Sequence, residues 1–320
     1  MVLILTTEKE LLTQNVISWL LYYNIEFKRY NDGEVTNPEI NISNDNIKLN
    51  FIDQNECSLH SLTKYWYRRG YLNFTNNFLL GNNNTINEIN NHKIDNNNDI
   101  INYIHYYLQT NVSSVNSFNE NSLNKLTELT HAQKIGIKIP DTLITTSKNS
   151  VLSFLNKHKK IITKPIKKAL NFKIDNVNFY TETLLLTYDD VISYPSSFSP
   201  IKLQNYIEKA FELRVFYLDG IFYSSAIFSQ NDEQTKIDFR NYNESNPNRV
   251  LPFNMPKNEE AKFRKLMKVL NLKSGSLDII VTKNGEYVFL EVNPIGQFTQ
   301  VSFPCNYYLE KQMAISLSKS

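Results

Sequence analysis

The sequence predicts an α/β protein, and three features of its 320 residues support that fold class. The chain opens as strand, helix and strand, helices and strands then alternate, and from Ile201 onward the chain is rich in strands. A chain of this length has enough residues for two or three domains. We expect an N-terminal α/β domain over 1–117, a central α/β domain over 118–203 and a strand-rich domain over 204–320.

The N-terminal part begins with an apolar strand at Val2–Thr6, which lacks the basic flank and long apolar run of a signal peptide. Thr7 and Glu10 have the spacing of a capping box, so they predict the start of a helix. The asparagine-rich stretch 82–98 is expected to be a polar loop, and the apolar pattern over 99–110 predicts a helix.

Composition excludes several classes of protein. The net charge of +2 gives no strong field for nucleic acid or an anionic membrane. No apolar stretch reaches the roughly 20 residues that cross a bilayer. The two cysteines, Cys57 and Cys305, lie far apart in the sequence and are expected to remain thiols, so we expect a cytoplasmic protein.

Glycine and histidine are too few, or too scattered, for common nucleotide and metal motifs. The eight glycines form neither a P-loop nor a dinucleotide-binding fingerprint, so any use of ATP must rely on another fold. The five histidines lack metal-ligand spacing, which disfavours zinc chemistry.

A hairpin near the C-terminus carries the strongest chemical signal. If Asn284 and Gly285 form a two-residue type I′ turn, the register places Asp278 opposite Glu291. Asn293 lies two residues past Glu291, hence on the same face of the strand. Opposed carboxylates repel each other unless a cation lies between them. Two carboxylates and an amide oxygen suit Mg²⁺, and the alternative is an edge hairpin whose carboxylates point into solvent.

An aspartate on one strand, followed after a hairpin by Glu-x-Asn-Pro, resembles the metal site of the ATP-grasp superfamily. Further motifs occur in the order typical of that superfamily over roughly the last two-thirds of the chain: Asn124-Lys125, Ala132…Gly136…Pro140-Asp141-Thr142, Thr163-Lys164-Pro165 and Gln204-x-Tyr206-Ile207-Glu208. The resemblance implies an N-terminal Rossmann-like pre-ATP-grasp domain, followed by a two-subdomain α+β ATP-grasp region with antiparallel sheets. It also implies ATP and Mg²⁺ as cofactors.

The resemblance assigns roles to individual residues. It implies that Lys125 and Lys164 reach the ATP phosphates, although an isolated lysine is more often a solvated surface residue. The remaining implied ligands are Gln204, Tyr206 and Ile207 along the adenine, Glu208 at the ribose, and Asp278, Glu291 and Asn293 at the magnesium ion.

Two arginines complete the predicted catalytic set with Lys164. Arg214 lies on a strand that an Asp-Gly turn places opposite Ser225, and Arg240 lies in a later extended segment. Guanidinium groups match phosphate geometry and stay charged, so both arginines suit a γ-phosphate or acyl-phosphate site. The alternative is two surface ion pairs, of Arg214 with Glu212 and of Arg240 with Asp238.

Three strings are together similar to the graspetide synthetases, which are microviridin-type peptide macrocyclases, and most resemble their grasp-with-spasm branch. They are Tyr65-Trp66-Tyr67-Arg68-Arg69-Gly70, Phe228-Ser229-Gln230 with Asp238-Phe239-Arg240, and the run from Glu291 to Phe298. The resemblance implies a ribosomal precursor peptide, with leader and core, as the partner, ω-ester or ω-amide ring formation, and a homodimer. The first string has a simpler explanation, a core aromatic residue beside two surface arginines.

Two other functions stay open. A ligase of the same superfamily could add amino acids to a small molecule or a protein terminus. A catalytically degenerate scaffold could bind only the leader peptide, although Lys164 and the predicted metal ligands argue against it.

Overall fold

The computed structural model describes residues 1–32, 35–52, 56–74, 78–81, 83–167, 170–175, 177–230, 232, 234–237 and 243–319. The chain divides into two compact units. Unit 1 comprises Met1–Ser122, Leu272–Ser274 and Pro294–Ser320, and unit 2 comprises Leu123–Asn271 and Gly275–Asn293. The predicted domains 1–117, 118–203 and 204–320 stay predictions, and their second boundary falls inside a strand.

Within the described residues the helices and strands are, in chain order, β1 (Val2–Thr6), α1 (Leu11–Tyr22), β2 (Phe27–Asn31), β3 (Val35–Asn41), β4 (Asn46–Phe51), β5 (Glu56–Ser58), β6 (Lys64–Tyr67), α2 (Asn84–Asn111), β7 (Ser113–Val115), α3 (Lys125–Ile135), β8 (Thr142–Ser147), α4 (Lys148–His158), β9 (Ile161–Lys164), β10 (Asn171–Ile174), β11 (Val177–Tyr180), β12 (Leu184–Leu186), α5 (Tyr188–Ile192), β13 (Ser197–Asn205), β14 (Lys209–Leu218), β15 (Ile221–Phe228), β16 (Arg249–Phe253), α6 (Lys257–Val269), β17 (Ser274–Thr282), β18 (Tyr287–Asn293), α7 (Thr299–Cys305) and α8 (Leu309–Ser318). None of the helices in the described part of the chain is long and apolar enough to cross a membrane.

Unit 1 is built on a four-stranded parallel sheet with the order β2-β1-β6-β7. Every residue of β1 is buried, as expected for a central parallel strand covered on both faces. A second sheet, β3-β4-β5, is antiparallel. Helix α8 packs against α1, so the C-terminal segment completes the unit in which the chain begins.

The prediction of a polar loop over residues 82–98 was wrong, because from residue 84 onward this stretch is the first half of α2. The Asn83 side chain caps the helix by accepting a hydrogen bond from the Ile86 amide at 2.8 Å. Only the C-terminal half is buried, through residues such as Ile104 and Leu108. The asparagine-rich half of α2 is therefore a solvent-exposed continuation of a helix whose other half is held by packing. Residue 82 lies outside the described residues.

The predicted capping box of Thr7 and Glu10 was also wrong. Glu10 is itself the N-cap of α1, because its Oε2 accepts a hydrogen bond from the Thr13 amide at 2.7 Å. A glutamate at the cap position thus replaces the shorter hydroxyl side chain that a capping box requires.

Arg68 is a buried structural residue rather than a surface arginine. It donates to Glu10 Oε1 at 3.0 Å and to the Ile295 carbonyl oxygen at 2.7 Å, and its exposed fraction is 2%. Burial lowers the pKa of the guanidinium to about 10, while Glu10 opposes that shift. Arg68 therefore connects the start of α1 to the segment that follows β18.

Asn116 forms a second buried connection within unit 1. It lies in the left-handed region at φ +59°, which asparagine tolerates. Its Nδ2 donates to the carbonyl oxygens of Ser274 and Pro294 at 2.7 and 2.8 Å. Its Oδ1 accepts from the amides of Lys273 and Ser274 at 3.1 and 3.0 Å. Asn116 thus holds together the start of β17 and the segment just after β18.

Unit 2 contains two larger sheets and one small hairpin, β10-β11. The first sheet has the antiparallel order β12-β9-β13-β8, and the second has the order β16-β15-β14-β17-β18. Helix α3 packs against β18 and α6. Gly136 follows α3 in the left-handed conformation at φ +86°, which glycine adopts readily at the end of a helix.

Candidate active site

A cleft of about 660 Å³, part of it open to solvent, lies within unit 2. It brings together residues of β9, β13, β17 and β18 with the segment that follows β13. The residues that line it are Pro140, Ile162, Lys164, Thr183, Gln204, Asn205, Tyr206, Ile207, Lys209, Glu212, Ile237, Asp278, Ile280, Leu290 and Glu291. Six of the predicted site residues therefore face one cleft: Lys164, Gln204, Tyr206, Ile207, Asp278 and Glu291.

The two acidic residues of the predicted metal site are paired in the β17–β18 hairpin, Asp278 directly opposite Glu291. The turn, however, is not the predicted two-residue turn. The Thr282 amide donates to the Glu286 carbonyl oxygen at 3.0 Å, and Gly285 has a φ of +78°. These features define a three-residue loop with a left-handed glycine at its last position. An Asn-Gly pair fits that position as well, so the pair alone does not determine the loop length.

A β-bulge compensates for the longer loop. Ile279 pairs with Phe289 but Asp278 pairs with Glu291, so Leu290 is an extra residue in β18. The loop shifts the register by one residue near the turn, and the bulge shifts it back before the acidic pair. Asp278 and Glu291 consequently share one face of the sheet.

Each carboxylate is matched by a cationic side chain. Arg214 Nη1 donates to Asp278 Oδ1, and both side chains are largely buried. Lys125 Nζ donates to Glu291 Oε2 at 2.5 Å and lies 3.5 Å from Asn293 Oδ1. The two ion pairs reduce the repulsion between the opposed carboxylates.

Arg214 lies opposite Ser225, as predicted. The turn between β14 and β15 has positive φ at both central residues, +46° at Asp219 and +91° at Gly220, which is typical of a type I′ turn. The alternative ion pair of Arg214 with Glu212 is wrong, because Glu212 accepts from the lysine three residues before it. Arg240, with its alternative partner Asp238, lies outside the described residues.

Gln204 is the most buried member of the predicted adenine-binding segment, with an exposed fraction of 1%. Its Nε2 donates to Thr142 Oγ1 at 3.0 Å. Within the described residues its Oε1 has no hydrogen-bond partner. A buried carbonyl oxygen beside a cleft can accept a hydrogen bond from a ligand.

Glu208 does not line the cleft. Its side chain is exposed and lies 3.6 Å from Lys283 Nζ. Its role at a ribose therefore stays a prediction.

Two buried charged residues beside this site were missed from the sequence. Glu128 of α3 is 1% exposed and accepts from the Val292 amide at 3.1 Å, between Glu291 and Asn293. Burial raises the pKa of Glu128 to about 7. Lys202 of β13 is 2% exposed, and burial, aided by nearby Lys164, lowers its pKa to about 8.

The sequence holds a weak signal for both residues. Lys202 precedes the apolar Leu203 in a strand, and Glu128 precedes the apolar Leu129 in a helix. Neither pattern shows that the charged side chain is buried, since a charge beside a core residue usually points into solvent.

Comparison with known proteins identifies the fold. No family model matches this chain, and no curated protein matches it. A Chryseobacterium gregarium RiPP-associated ATP-grasp ligase, solved with ADP and a leader and core peptide, has a TM-score of 0.78 at 22% identity, over 99% of this chain and 94% of that chain. The macrocyclase MdnC of Microcystis aeruginosa MRC, bound with precursor peptide MdnA, has a TM-score of 0.79 at 21% identity, over 100% of both chains.

A third similar structure is the ATP-grasp ligase PsnB, complexed with a phosphomimetic variant of a minimal precursor, Mg and ADP. It has a TM-score of 0.73 at 14% identity, over 99% of this chain and 97% of that chain. All three similarities extend over nearly the whole of each chain, so they include both units. This chain therefore has the fold of the ATP-grasp ligases.

Proposed function

We propose that this chain is an ATP-dependent, ADP-forming ligase that makes macrocycles in a ribosomal precursor peptide. It activates an Asp or Glu side-chain carboxylate of the peptide as an acyl phosphate. A Ser or Thr hydroxyl, or a Lys amine, of the same peptide then closes an ω-ester or ω-amide ring. The observation that carries this proposal is the cleft that unites Lys164 and the Gln204–Ile207 segment with the Asp278–Glu291 pair.

The cleft fits an adenine nucleotide. Ile162, Ile207, Ile280 and Leu290 provide apolar surface on which a planar base can pack. The Gln204 Oε1, which lacks a partner among the described residues, offers an acceptor for an amine of the base. Apolar walls with a few polar groups are typical of small-ligand sites.

The acidic end of the cleft fits Mg²⁺. Asp278, Glu291 and Asn293 provide hard oxygen donors, which magnesium prefers together with water and phosphate oxygens. No three His, Cys, Asp or Glu side chains are grouped as metal ligands in the described ranges, so the proposed set depends on two carboxylates and an amide. When bound, the ion neutralises charge that develops on the phosphates.

The basic residues of the chain have separate tasks in the first step. The peptide carboxylate oxygen attacks the γ-phosphorus, the bond to the β,γ-bridging oxygen breaks, and ADP leaves. Lys125 and Lys164 attract and orient the phosphates, and the planar fork of Arg214 suits the phosphoryl group in transfer. Arg240 is proposed to share that role.

In the second step the hydroxyl or amine attacks the acyl carbon and releases inorganic phosphate. The nucleophile loses one proton, which leaves with the phosphate or with water. Exclusion of water from the cleft protects the acyl phosphate from hydrolysis.

The remaining proposals concern the setting of the reaction. The partner is a precursor peptide with leader and core, and two copies of the chain form a homodimer. Cys57 and Cys305 are free and buried, which is compatible with a cytoplasmic protein. Neither nucleic acid nor membrane is a proposed partner.

Mass spectrometry of the peptide product tests the proposal. Incubation with ATP, Mg²⁺ and the encoded precursor is expected to lower the peptide mass by one water per ring, with ADP as co-product. The matched control is Asp278→Asn with Glu291→Gln, which keeps the side-chain volumes and removes both charges. A product that gains the mass of an amino acid favours the alternative ligase, and ADP formation that survives in the control contradicts the assigned metal site.

A further inference from the structure

Lys202 lies on the face of β13 that lines the cleft. It pairs directly with Lys164 of β9, so the two side chains share one face of the sheet. Gln204, two residues further along β13, is on that same face and lines the cleft. The residues between and before them, Ile201 and Leu203, pack on the opposite face in the core beneath α4. Lys202 therefore belongs to the ligand side of the sheet.

Lys202 is 2% exposed as a whole residue, and its ammonium group makes no hydrogen bond to the residues that the structure describes. Burial of an unpaired charge is costly, and the lowered pKa of Lys202, about 8, reflects that cost. Directly opposed like charges on neighbouring strands are destabilising as well. Both costs fall if an anion binds beside Lys202.

The charges around Lys202 do not cancel. The ionised groups that influence it are Lys125, Lys164, Glu128 and Glu291. With Lys202 these make three ammonium groups and two carboxylates, a surplus of one positive charge when all are ionised. The nearby Arg214–Asp278 pair is neutral as a whole. The cluster therefore favours an anionic ligand on this side of the cleft.

We propose that Lys202 is a third lysine that binds the phosphates of the nucleotide, beside Lys125 and Lys164. This inference rests on the proposed function, because it requires a nucleotide in the cleft. Lys202 lies beside Lys164 on the face of the sheet that lines the cleft. A phosphate oxygen there accepts the hydrogen bond that no described residue accepts from Lys202.

The competing explanation is that Lys202 only neutralises the buried Glu128. The two explanations differ when both charges are removed. A neutralising role predicts that Glu128→Leu rescues Lys202→Met, because no unpaired charge then remains. A phosphate-binding role predicts that the double variant stays defective.

Calorimetric titration of the full chain with Mg²⁺ and either AMPPNP, ADP or AMP tests the inference. Lys202→Met is expected to weaken AMPPNP binding by about ten- to a hundredfold, which corresponds to one lost charged hydrogen bond. AMP binding should change by less than about twofold, because AMP lacks the β- and γ-phosphates, which we assign to Lys202. The matched control is Lys265→Met, which removes one exposed lysine of α6 and should leave all three affinities unchanged.

Three outcomes overturn the inference: Lys202→Met binds AMPPNP as well as the wild type, it loses AMP as much as AMPPNP, or the double variant with Glu128→Leu recovers wild-type affinity. If Lys202→Met does not fold, the nucleotide affinities of the double variant, which has no unpaired buried charge, are compared with those of the wild type instead. Failure of the wild type to bind any of the three nucleotides contradicts the proposed function itself, and the two failures are thus distinguishable.

Discussion

Asn116→Ala is expected to destabilise the fold strongly, because one side chain satisfies four backbone groups. Its Nδ2 donates to two carbonyl oxygens at 2.7 and 2.8 Å, and its Oδ1 accepts from two amides at 3.0 and 3.1 Å. The exposed fraction of Asn116 is 2%, so water cannot readily replace it. At about 0.5–1.5 kcal/mol for each hydrogen bond, the loss is about 2–6 kcal/mol.

The backbone adds a second cost to this substitution. Asn116 has a φ of +59°, a conformation that alanine adopts at a cost of about 1–2 kcal/mol. The expected loss is thus about 3–8 kcal/mol, about half of the stability of an ordinary domain.

Urea unfolding followed by circular dichroism measures the free energy of unfolding of the Asn116 variant. The matched control is Asn119→Ala, three residues along the same segment, where the side chain is exposed and bonds to Gln109. That control is expected to change the free energy of unfolding by less than about 0.5 kcal/mol. The reasoning is refuted if Asn116→Ala lowers the free energy of unfolding no more than the control does, while the dependence of that free energy on urea concentration is unchanged.

Three further predictions concern buried groups. Asp278→Ala leaves Arg214 without its partner and should lower the free energy of unfolding, measured in urea, by about 3–5 kcal/mol. The double variant Asp278→Ala/Arg214→Met should recover that stability, and no recovery would contradict the pairing. Gly70→Ala places a Cβ 2.4 Å from the Thr6 amide nitrogen, so a lower melting temperature is expected, and an unchanged one would contradict the contact. Because burial raises the pKa of Glu128 from 4.5 to about 7, the wild type should lose stability as pH rises through that window, by at most about 3 kcal/mol. Glu128→Gln removes the titrating group, so its unfolding midpoint should not show this decline, and an equal decline in both proteins would contradict the shift.

Much of the site could be predicted because its signals are local. The opposition of Asp278 and Glu291 follows from a turn signal and the alternation of strand residues. The prediction was confirmed although the turn type was wrong, because the bulge at Leu290 cancels the shift of the longer loop. A bulge leaves little trace in a sequence, since any residue type can occupy it.

What could not be predicted depends on contacts between distant residues. Arg68 binds the carbonyl oxygen of Ile295, 227 residues later, and no local pattern encodes that contact. The surroundings of Lys202 likewise depend on β9, which pairs with its strand, and on charged residues of α3 that lie near it only in the folded chain. The asparagine-rich composition of residues 82–98 wrongly predicted a loop. From residue 84 onward this stretch has a weak helix propensity, but it continues a helix whose C-terminal half is buried, and that packing overrides the local preference.

The packing of α8 against α1 has a consequence for how the chain matures on the ribosome. Helix α1 is synthesised before the segments of unit 2, whereas the helix that packs against it is synthesised after every other helix and strand described here. The segments of unit 2 have all emerged by then. The surface of α1 that meets α8 consequently stays uncovered while unit 2 is synthesised, which makes it a natural target for a ribosome-associated chaperone.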